Sequence, residues 1–342
     1  MILDALVAAT RRRMERDMKR APLEYVMKRA ESVRKTELAQ AEKGAMDVSM
    51  VSFAFEKNLR QPEMQFICEV KKASPSKGLI AEHFPYLEIA KAYETAGAAA
   101  ISVLTETDYF LGDDRYLKQI SETVRTPLLR KDFTVDAYQI YQAKTLGASA
   151  VLLICAILDE KTIRTFIKIC DRLGMSALVE AHDREEVRMA CHAGARIIGV
   201  NNRNLKDFTV DIQNSLRLRE MISKDILFVA ESGISTPEDV KALREGGVNG
   251  VLIGESLMRA KDKKAMLDYL RETVMMRIKI CGLRREADVL GVNRFDNDAG
   301  FVFANSPRQT MKKPPPGCGK LRPDIDAVGV FVNEVPERII GW

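Results

Sequence analysis

From residue 66 onward, the chain repeats one pattern of apolar and polar positions. A helical stretch ends at glycine, a short apolar run follows, and the run ends in polar side chains. Glycine after the last turn stops a helix in the left-handed conformation, and a continuous apolar run is typical of a parallel strand buried on both faces. Complete copies of the pattern are AGAAAISVLTETD (96–108), LGASAVLLICAILD (146–159), LGMSALVEAHD (173–183), AGARIIGVNNRN (193–204) and GGVNGVLIGES (246–256).

Further apolar runs bring the number of predicted strands to eight. They are FICEV (66–70), PLLRKDF (127–133) and ILFVAESG (226–233). Helical segments alternate with the strands; one of them, TPEDVKALREGGV, begins with a threonine cap, a proline at the first helical position and early acids. The alternation predicts a (β/α)8 TIM barrel rather than an open sheet, because no GxGxxG fingerprint follows the first strand.

Length and charge narrow the class of protein. With 342 residues and 46% hydrophobic content, the chain is long enough for one large domain with additions or for two ordinary domains. Of the net charge of +5, residues 1–40 carry +4, with ten Lys/Arg against six Asp/Glu. The remainder is close to neutral, which argues against nucleic-acid binding. A basic helix in residues 1–40 is expected to pack on its own domain rather than on a membrane.

The sequence also indicates the cellular compartment of the protein. Its opening, MILDALVAATRRR, places charges after the apolar stretch, unlike a secretory signal, and no run of about 18 apolar residues exists that could span a membrane. The six cysteines form no CxxC pair and have no histidine at ligand spacing. This argues for a reducing cytoplasm and against a disulfide framework or a structural zinc site.

Charged and polar side chains collect where the predicted strands end. In FICEVKKASPSKG, Glu69 and Lys71 lie at the end of the first strand, where charge is costly to bury unless it is paired or solvated. The other strand ends carry Thr105 to Asp108, Arg130 to Asp132, Ala156, Glu180, Asn201, Arg203, Glu231, Ser232 and Gly254. In a barrel these ends converge on one mouth, and their mixture of carboxylates, lysines and arginine predicts proton transfer on an anionic substrate.

The last two units predict a phosphate site. AESGIS (230–235) and LIGES (252–256) place Gly233 and Gly254 just beyond the seventh and eighth strands. At this position barrels often bind phosphate through backbone N–H groups and the N-terminus of a short helix. The alternative interpretation is that each glycine only makes a tight turn.

Over about residues 1–270 the chain closely resembles the indole-3-glycerol phosphate synthase family. The motifs that carry the resemblance are ILDALVAATRRR, EVKKASPSKG, SVLTETDYFLGD, LLRKDF, LVEAH, IGVNNRNL, VAESGI and LIGESLMR, in family order. The resemblance implies a helical extension, here residues 1–45, before a barrel of residues 46–272. It also implies a carboxy-lyase without cofactor or metal, which converts carboxyphenylamino-deoxyribulose phosphate to indole-3-glycerol phosphate in tryptophan biosynthesis with loss of carbon dioxide and water.

By the same resemblance, four residues are expected to be catalytic. Lys131 is the general acid that protonates the ketone carbonyl during ring closure, and Lys71 is the partner of the carboxylate that leaves. Glu180 is the base that removes a proton as water leaves, and Glu69 assists it.

The remaining candidates are expected to bind the substrate. Asn201, Arg203 and Glu231 would hold hydroxyls and charges, Ser74 belongs to the loop after the first strand, and Phe110 and Phe133 would flank the anthranilate ring or simply pack in the core. The phosphate would lie on Ser232, Gly233, Gly254 and the backbone N–H of Glu255.

His182 and His192 are interpreted as polar surface residues.

Residues 277–342 resemble a different enzyme of the same pathway. MRIKICGLRREAD (276–288), DAGFVFANSPRQ (298–309) and AVGVFVNE (327–334) are similar to the start of phosphoribosylanthranilate isomerase, which is fused to the synthase in some bacteria. In that family the equivalent of Cys281 is a general base. Three strands are too few for a closed barrel, so we expect an incomplete second βα barrel segment without isomerase activity.

Two other functions compete with the synthase. One is isomerase activity that depends on Cys281, and the other is a non-catalytic scaffold for pathway enzymes. The presence of Lys131 and Glu180 at the strand ends disfavours both. We therefore expect a small phosphorylated substrate, no nucleic acid and no membrane, with contact to other tryptophan-pathway enzymes as a further hypothesis.

Overall fold

The chain divides into two compact units, Met1–Thr273 and Val274–Trp342. The computed structural model describes residues 2–44, 47, 51–204, 208–271, 279–281, 287, 288, 290, 298–302 and 327–330. The expected boundaries at 45/46 and 272/277 lie outside the described residues.

Eight parallel strands in the first unit form a closed barrel, as the sequence predicts. Each strand pairs with its neighbours in chain order, and the first pairs with the eighth to close the ring. The strands are β1 (Gln65–Val70), β2 (Ala100–Leu104), β3 (Leu128–Lys131), β4 (Ala150–Ile154), β5 (Ser176–Ala181), β6 (Ile197–Asn201), β7 (Leu227–Glu231) and β8 (Gly250–Ile253).

Helices precede the barrel and separate its strands. The described helices are α1 (Ile2–Arg20), α2 (Leu23–Glu42), α3 (Ala54–Leu59), α4 (Tyr86–Thr95), α5 (Asp114–Ser121), α6 (Ala137–Thr145), α7 (Glu160–Arg172), α8 (Arg184–Ala193), α9 (Gln213–Arg219), α10 (Pro237–Glu245), α11 (Glu255–Arg259) and α12 (Lys263–Arg271). A short 3-10 turn, Cys155–Ile157, follows β4. This assembly confirms the TIM barrel fold.

Local signals explain where the helices begin and end. The side chain of Thr236 accepts a hydrogen bond from the backbone N–H of Asp239, and the carboxylate of Asp239 accepts one in return, so the cap predicted for α10 is present. The side chain of Asp183 caps α8 in the same way, by accepting from two backbone N–H groups. The glycines that follow the helices have φ between 68° and 88°: Gly97, Gly147, Gly174, Gly194 and Gly247.

The barrel interior is filled by apolar side chains that point inward at every second strand position. Phe55 and Leu59 of α3 belong to this cluster, together with Ile67, Leu129, Leu178 and Val229. The side chains two residues further along these strands share the inward direction and lie closer to the carboxyl end of the barrel. They are Glu69, Lys131, Glu180 and Glu231. The pleat of the sheet therefore directs the charged groups into one mouth.

The helices of the N-terminal extension contact the barrel. Helix α2 packs against α6, where Nζ of Lys144 lies 2.6 Å and 2.8 Å from the two carboxylate oxygens of Glu37. Arg34 of α2 donates to the carbonyl oxygen of Val51 at 2.6 Å and to the hydroxyl of Ser52 at 2.7 Å. The prediction that this basic segment packs on its own domain is confirmed.

The second unit contains a parallel sheet. Its described strands are β9 (Lys279–Cys281), β10 (Asp298–Val302) and β11 (Ala327–Val330), paired in that order. The sequence predicts strands at these positions, and the structure contains them. The described residues show a parallel sheet only, and they do not show the incomplete βα barrel that was expected. The side chain of Cys281 lies outside what the structure describes.

Candidate active site

A cavity of about 900 Å³ opens at the carboxyl end of the barrel. It is lined by all of the barrel residues predicted to be catalytic or to bind the substrate: Glu69, Lys71, Ser74, Phe110, Lys131, Phe133, Glu180, Asn201, Arg203, Glu231, Ser232, Gly233, Gly254 and Glu255. The strand-end residues Thr105 to Asp108, Arg130 and Ala156 are not among the residues that line it. Strand ends that are distant in sequence are thus brought to one concave surface, which is the usual form of a small-molecule site.

Lys131 lies at the centre of the charged groups. Its Nζ is 3.1 Å from Oε2 of Glu180 and 3.5 Å from Oε2 of Glu231. Burial by itself lowers the pKa of Lys131, but the carboxylates of Glu180, Glu231 and Glu69 outweigh it and raise the pKa above its ordinary value. The ammonium therefore remains protonated throughout the neutral range.

The carboxylates around Lys131 differ in their proton affinity. Burial raises the pKa of Glu180, but Lys131 and His182 reverse this and hold it below its ordinary value. The pKa of Glu231 changes in the opposite direction. Burial and the nearby carboxylates of Glu180 and Glu69 raise it to about 7, although Lys131 lowers it. Oε1 of Glu231 is buried and accepts no hydrogen bond from any residue that the structure describes. Neighbouring carboxyl groups with divergent pKa values are suited to separate roles in proton transfer.

A second ion pair joins β1 to the loop that follows it. Lys71 donates to Oε1 of Glu69, and both side chains are largely buried. Gly254 approaches this pair closely: a Cβ on Gly254 would lie 2.3 Å from Oε1 of Glu69 and 2.9 Å from Nζ of Lys71. A side chain at position 254 would displace the pair, so glycine is needed there.

The loops after β7 and β8 contain the residues predicted to bind phosphate. Ser232 and Gly233 both have positive φ, 69° and 80°. A Cβ on Gly233 would come within 2.2 Å of Cγ1 of Val210. The short helix α11 begins directly after Gly254, and the carboxylate of its first residue, Glu255, is turned toward Nε of Arg259 at 3.1 Å. Consecutive left-handed residues and a helix start present backbone N–H groups to an anion.

An aromatic wall faces the other side of the mouth. The rings of Phe110 and Phe133 follow β2 and β3, with centroids 6.3 Å apart and planes inclined at 45°. Helix α1 of the extension adds Ile2, Leu3 and Leu6 to the cavity lining. This side is suited to a flat apolar group.

The remaining predicted residues are held by local contacts. Ser74 lies in a two-stranded hairpin, where Ala73–Ser74 pairs with Gly78–Leu79. Oδ1 of Asn201 accepts a hydrogen bond from the backbone N–H of Arg203 at 3.0 Å. These contacts fix the backbone from which both side chains reach the cavity.

Comparison with known proteins identifies the family. The family model for indole-3-glycerol phosphate synthase matches residues 22–270. The indole-3-glycerol phosphate synthase of Ruminiclostridium cellulolyticum is 55% identical over 271 residues, which covers 79% of this chain and 99% of that protein. The chain belongs to the indole-3-glycerol phosphate synthase family. Its counterpart from Lachnoclostridium phytofermentans is 54% identical over 273 residues, again covering 79% of this chain and 99% of that protein.

Membership of the indole-3-glycerol phosphate synthase family confirms the predicted function. The protein is a carboxy-lyase of tryptophan biosynthesis that forms indole-3-glycerol phosphate. Among solved structures, 3-hexulose-6-phosphate synthase from Salmonella typhimurium has a TM-score of 0.51 at 16% identity, covering 62% of this chain and 99% of that chain. This second likeness concerns the barrel fold alone.

Sequence reasoning missed a buried charge network beside the synthase site. Nη2 of Arg13, on α1, lies 2.6 Å and 2.7 Å from the carboxylate oxygens of Asp132, the residue after Lys131. The hydroxyl of Thr105 donates to the same carboxylate at 2.5 Å, and Nη2 of Arg130 is 3.5 Å from it. Strand-end position pointed to Asp132, but nothing in the pattern pointed to its partner on α1.

The interpretation of His182 as a surface residue is wrong. Its side chain is only 16% exposed, and its Nε2 lies 3.4 Å from Oε1 of Glu180. By contrast, the side chain of His192 is 71% exposed, as expected. The strand β5 ends at Ala181, and the side chain of His182, directly after it, lies close to the carboxylates of Glu180 and Glu186.

The described part of the chain contains neither a metal-binding cluster nor a membrane-spanning helix. No group of three or more His, Cys, Asp or Glu there is arranged to hold a metal ion. No helix in those ranges has the length and apolar character needed to cross a membrane.

Proposed function

We propose that Lys131 is the general acid of the indole-3-glycerol phosphate synthase reaction. The observation that carries this proposal is the position of its ammonium among Glu180, Glu231 and Glu69 in the cavity. A buried, permanently protonated donor can protonate the ketone carbonyl as the aromatic carbon attacks it. The alkoxide that would otherwise form is thereby neutralised.

Lys71 holds the carboxylate of the substrate until it leaves as carbon dioxide. In the free enzyme its ammonium is paired with Glu69, and both groups line the cavity. A bound carboxylate would share the ammonium of Lys71 with the carboxylate of Glu69. The position of this ammonium in the cavity wall, already in contact with one carboxylate, supports the role.

Glu180 is the base that takes a proton as water leaves, and Glu69 assists. The lowered pKa of Glu180 supports this role, since the group is ionised at neutral pH. Nδ2 of Asn201 lies 3.4 Å from Oε1 of Glu180 and would help to orient it. Asn201, Arg203 and Glu231 would hold the substrate hydroxyls.

The substrate would lie across the mouth. Phe110 and Phe133, after β2 and β3, would flank the anthranilate ring. The phosphate would bind at Ser232, Gly233, Gly254 and the N–H of Glu255, after β7 and β8. Strand β3 lies across the barrel from β7, and this supports a pose with the ring and the phosphate on opposite sides of the reacting carbons.

The second unit is proposed to be isomerase-like and inactive. Support comes from the resemblance of residues 277–342 to phosphoribosylanthranilate isomerase and from the parallel order of β9, β10 and β11. The family model for the synthase ends at residue 270, before this unit begins. Cys281 would be a base without the acid that the isomerase reaction requires.

A cytoplasmic location is also proposed. It is supported by the cysteines that the structure describes, Cys68, Cys155, Cys170 and Cys191, all of which are free thiols. Contact with other tryptophan-pathway enzymes stays a prediction.

The test is a paired assay of the purified protein. One reaction contains carboxyphenylamino-deoxyribulose phosphate and the other phosphoribosylanthranilate. We expect indole-3-glycerol phosphate from the first only, and we expect Lys131→Ala to lower kcat by about 10² or more. Lys161→Ala, a change on the exposed face of α7, is the control. Near-normal turnover by Lys131→Ala would remove Lys131 from the mechanism, and turnover of the second substrate would refute the inactive tail.

A further inference from the structure

His182 lies behind the proposed base rather than in the cavity. Its Nδ1 is 3.0 Å from Oε2 of Glu186, and the same carboxylate oxygen accepts the backbone N–H of His182 at 2.7 Å. Its Nε2, on the opposite side of the ring, is buried, makes no hydrogen bond with any described residue and lies 3.4 Å from Oε1 of Glu180. The imidazole is not among the groups that line the cavity, so any effect on substrate must pass through Glu180.

This geometry defines the charge state of the ring. A carboxylate only accepts hydrogen bonds, so the nitrogen beside Glu186 carries a proton. In a neutral imidazole the other nitrogen would then hold a lone pair 3.4 Å from a carboxylate oxygen of Glu180, and the two would repel. In the imidazolium both nitrogens carry protons and both face carboxylates. The arrangement therefore favours the charged ring.

Charges alternate along a line that ends at the proposed general acid. Glu186 contacts His182, His182 faces one oxygen of Glu180, and the other oxygen of Glu180 lies 3.1 Å from Nζ of Lys131. The backbone of His182 is also fixed, because its carbonyl oxygen accepts from Nδ2 of Asn214 at 3.1 Å. Each oxygen of Glu180 thus has its own cationic neighbour, and this restricts rotation of the carboxylate.

The titratable groups around the imidazole come from several elements. They are Glu180 of β5, Glu186 of α8 and Glu231 of β7. The carboxylate of Asp183, the next residue in sequence, caps α8. Burial lowers the pKa of His182, but Glu186, Glu180 and Glu231 outweigh it and raise the pKa above its ordinary value. This direction agrees with the geometry.

We propose that His182 is a positioning residue whose imidazolium keeps Glu180 ionised and oriented for its role as base. The proposal rests on the base role assigned to Glu180. Loss of the positive charge would raise the pKa of Glu180 and would leave one of its oxygens without a cationic neighbour. Binding of the phosphate and the aromatic ring would not change.

The test compares His182→Ala, His182→Gln and the control His192→Ala, whose side chain is exposed on the same unit of the barrel. We expect His182→Ala to lower kcat roughly tenfold with KM within about twofold, because only the orientation and charge of Glu180 are affected. His182→Gln can supply a neutral amide donor, so it should recover part of kcat. His192→Ala should match the unchanged protein. Thermal unfolding of each variant separates these effects from loss of fold.

The dependence of kcat on pH distinguishes this role from a merely structural role of His182, which would leave that dependence unchanged. The acid limb of kcat reports ionisation of the base, and without the imidazolium it should move to higher pH by about half a unit to one unit. Both His182 variants should show this shift, because glutamine restores a donor but no charge. An acid limb that stays in place in both variants would overturn the proposal.

A double-mutant comparison separates this inference from the role of Glu180 itself. On a Glu180→Gln background, His182→Ala should have no further effect on kcat, since it acts through Glu180. If Glu180→Gln alone leaves the rate unchanged, the base assignment fails. Two outcomes would refute only the proposal for His182. In the first, Glu180→Gln is severely impaired while the His182 variants behave like the unchanged protein. In the second, the losses of kcat caused by Glu180→Gln and by His182→Ala add in the double variant.

Discussion

At the scale of single residues, the site concentrates charge where burial makes it costly. Glu69, Glu180 and Glu231 are each less than 5% exposed, and they are opposed by Lys71 and Lys131. When all five of these groups are ionised, the three carboxylates exceed the two ammonium groups by one negative charge. Partial protonation of Glu231, whose pKa is raised to about 7, relieves this excess near neutral pH.

Glu231 therefore makes stability depend on pH. Its pKa in the folded state is raised above that of the unfolded chain, so its contribution is fully present below about pH 4.5 and is lost as pH rises through about 7. We expect the thermal midpoint of the unchanged protein to fall more between pH 5 and pH 8 than that of Glu231→Gln, in which this titration is absent. Calorimetry at both pH values checks this, with Glu238→Gln on the exposed start of α10 as the control. Equal falls in all three proteins would contradict the raised pKa.

At the scale of elements, helix α1 completes the site from outside the barrel. It lines the cavity with apolar side chains and is tied to the end of β3 by Arg13 and Asp132. The carboxylate of Asp132 is nearly inaccessible, and Arg13, Arg130 and Thr105 hold its pKa below the ordinary value against the effect of burial. Because Lys131 is the neighbouring residue, the tether also constrains the strand end that carries the proposed general acid.

We expect Arg13→Ala to weaken this attachment. It removes the main partner of a buried carboxylate, and although Arg130 and Thr105 remain nearby, the free energy of unfolding should fall by about 2–4 kcal/mol. KM should rise, since α1 forms part of the cavity wall. Urea unfolding and steady-state kinetics measure both effects, with the exposed Arg12→Ala as the matched control. Equal stability and equal KM in the two variants would show that the tether is unimportant.

At the scale of the whole molecule, the large cavity belongs to the barrel unit. The barrel closes through eight strands, and the described residues that line the large cavity all belong to Met1–Thr273. The relatives from Ruminiclostridium cellulolyticum and Lachnoclostridium phytofermentans are matched over 99% of their length by 79% of this chain. The synthase is therefore expected to function without the second unit.

We expect a variant that lacks residues 274–342 to keep synthase activity, because the barrel closes and buries its own core without them. Its kcat should lie within about twofold of the full chain in an assay for indole-3-glycerol phosphate. The full-length protein, purified in parallel, is the control. Insoluble protein, or a large loss of turnover in soluble protein, would mean that the second unit contributes to the packing of the first.

Prediction from the sequence succeeded where the signal was local. The apolar runs gave the eight strands, and residues such as Thr236 and Gly194 marked helix ends because capping and left-handed turns depend on a few adjacent residues. Strand-end position also located the residues that line the cavity. His182 was misjudged because a histidine one residue beyond a strand has no local signature of burial. Arg13 was missed because its partner is 119 residues away.

The sequence by itself determined the order of strands and helices, the barrel, the family and the list of residues at the strand ends, since all of these follow from local pattern and motif. Tertiary structure alone decided which of those residues act together. Lys131 meets Glu180 and Glu231 because barrel closure brings β3, β5 and β7 to one mouth. The divergent pKa values of these carboxylates have the same origin, because electrostatic interactions depend on distance and burial, and both are set by strand register and closure.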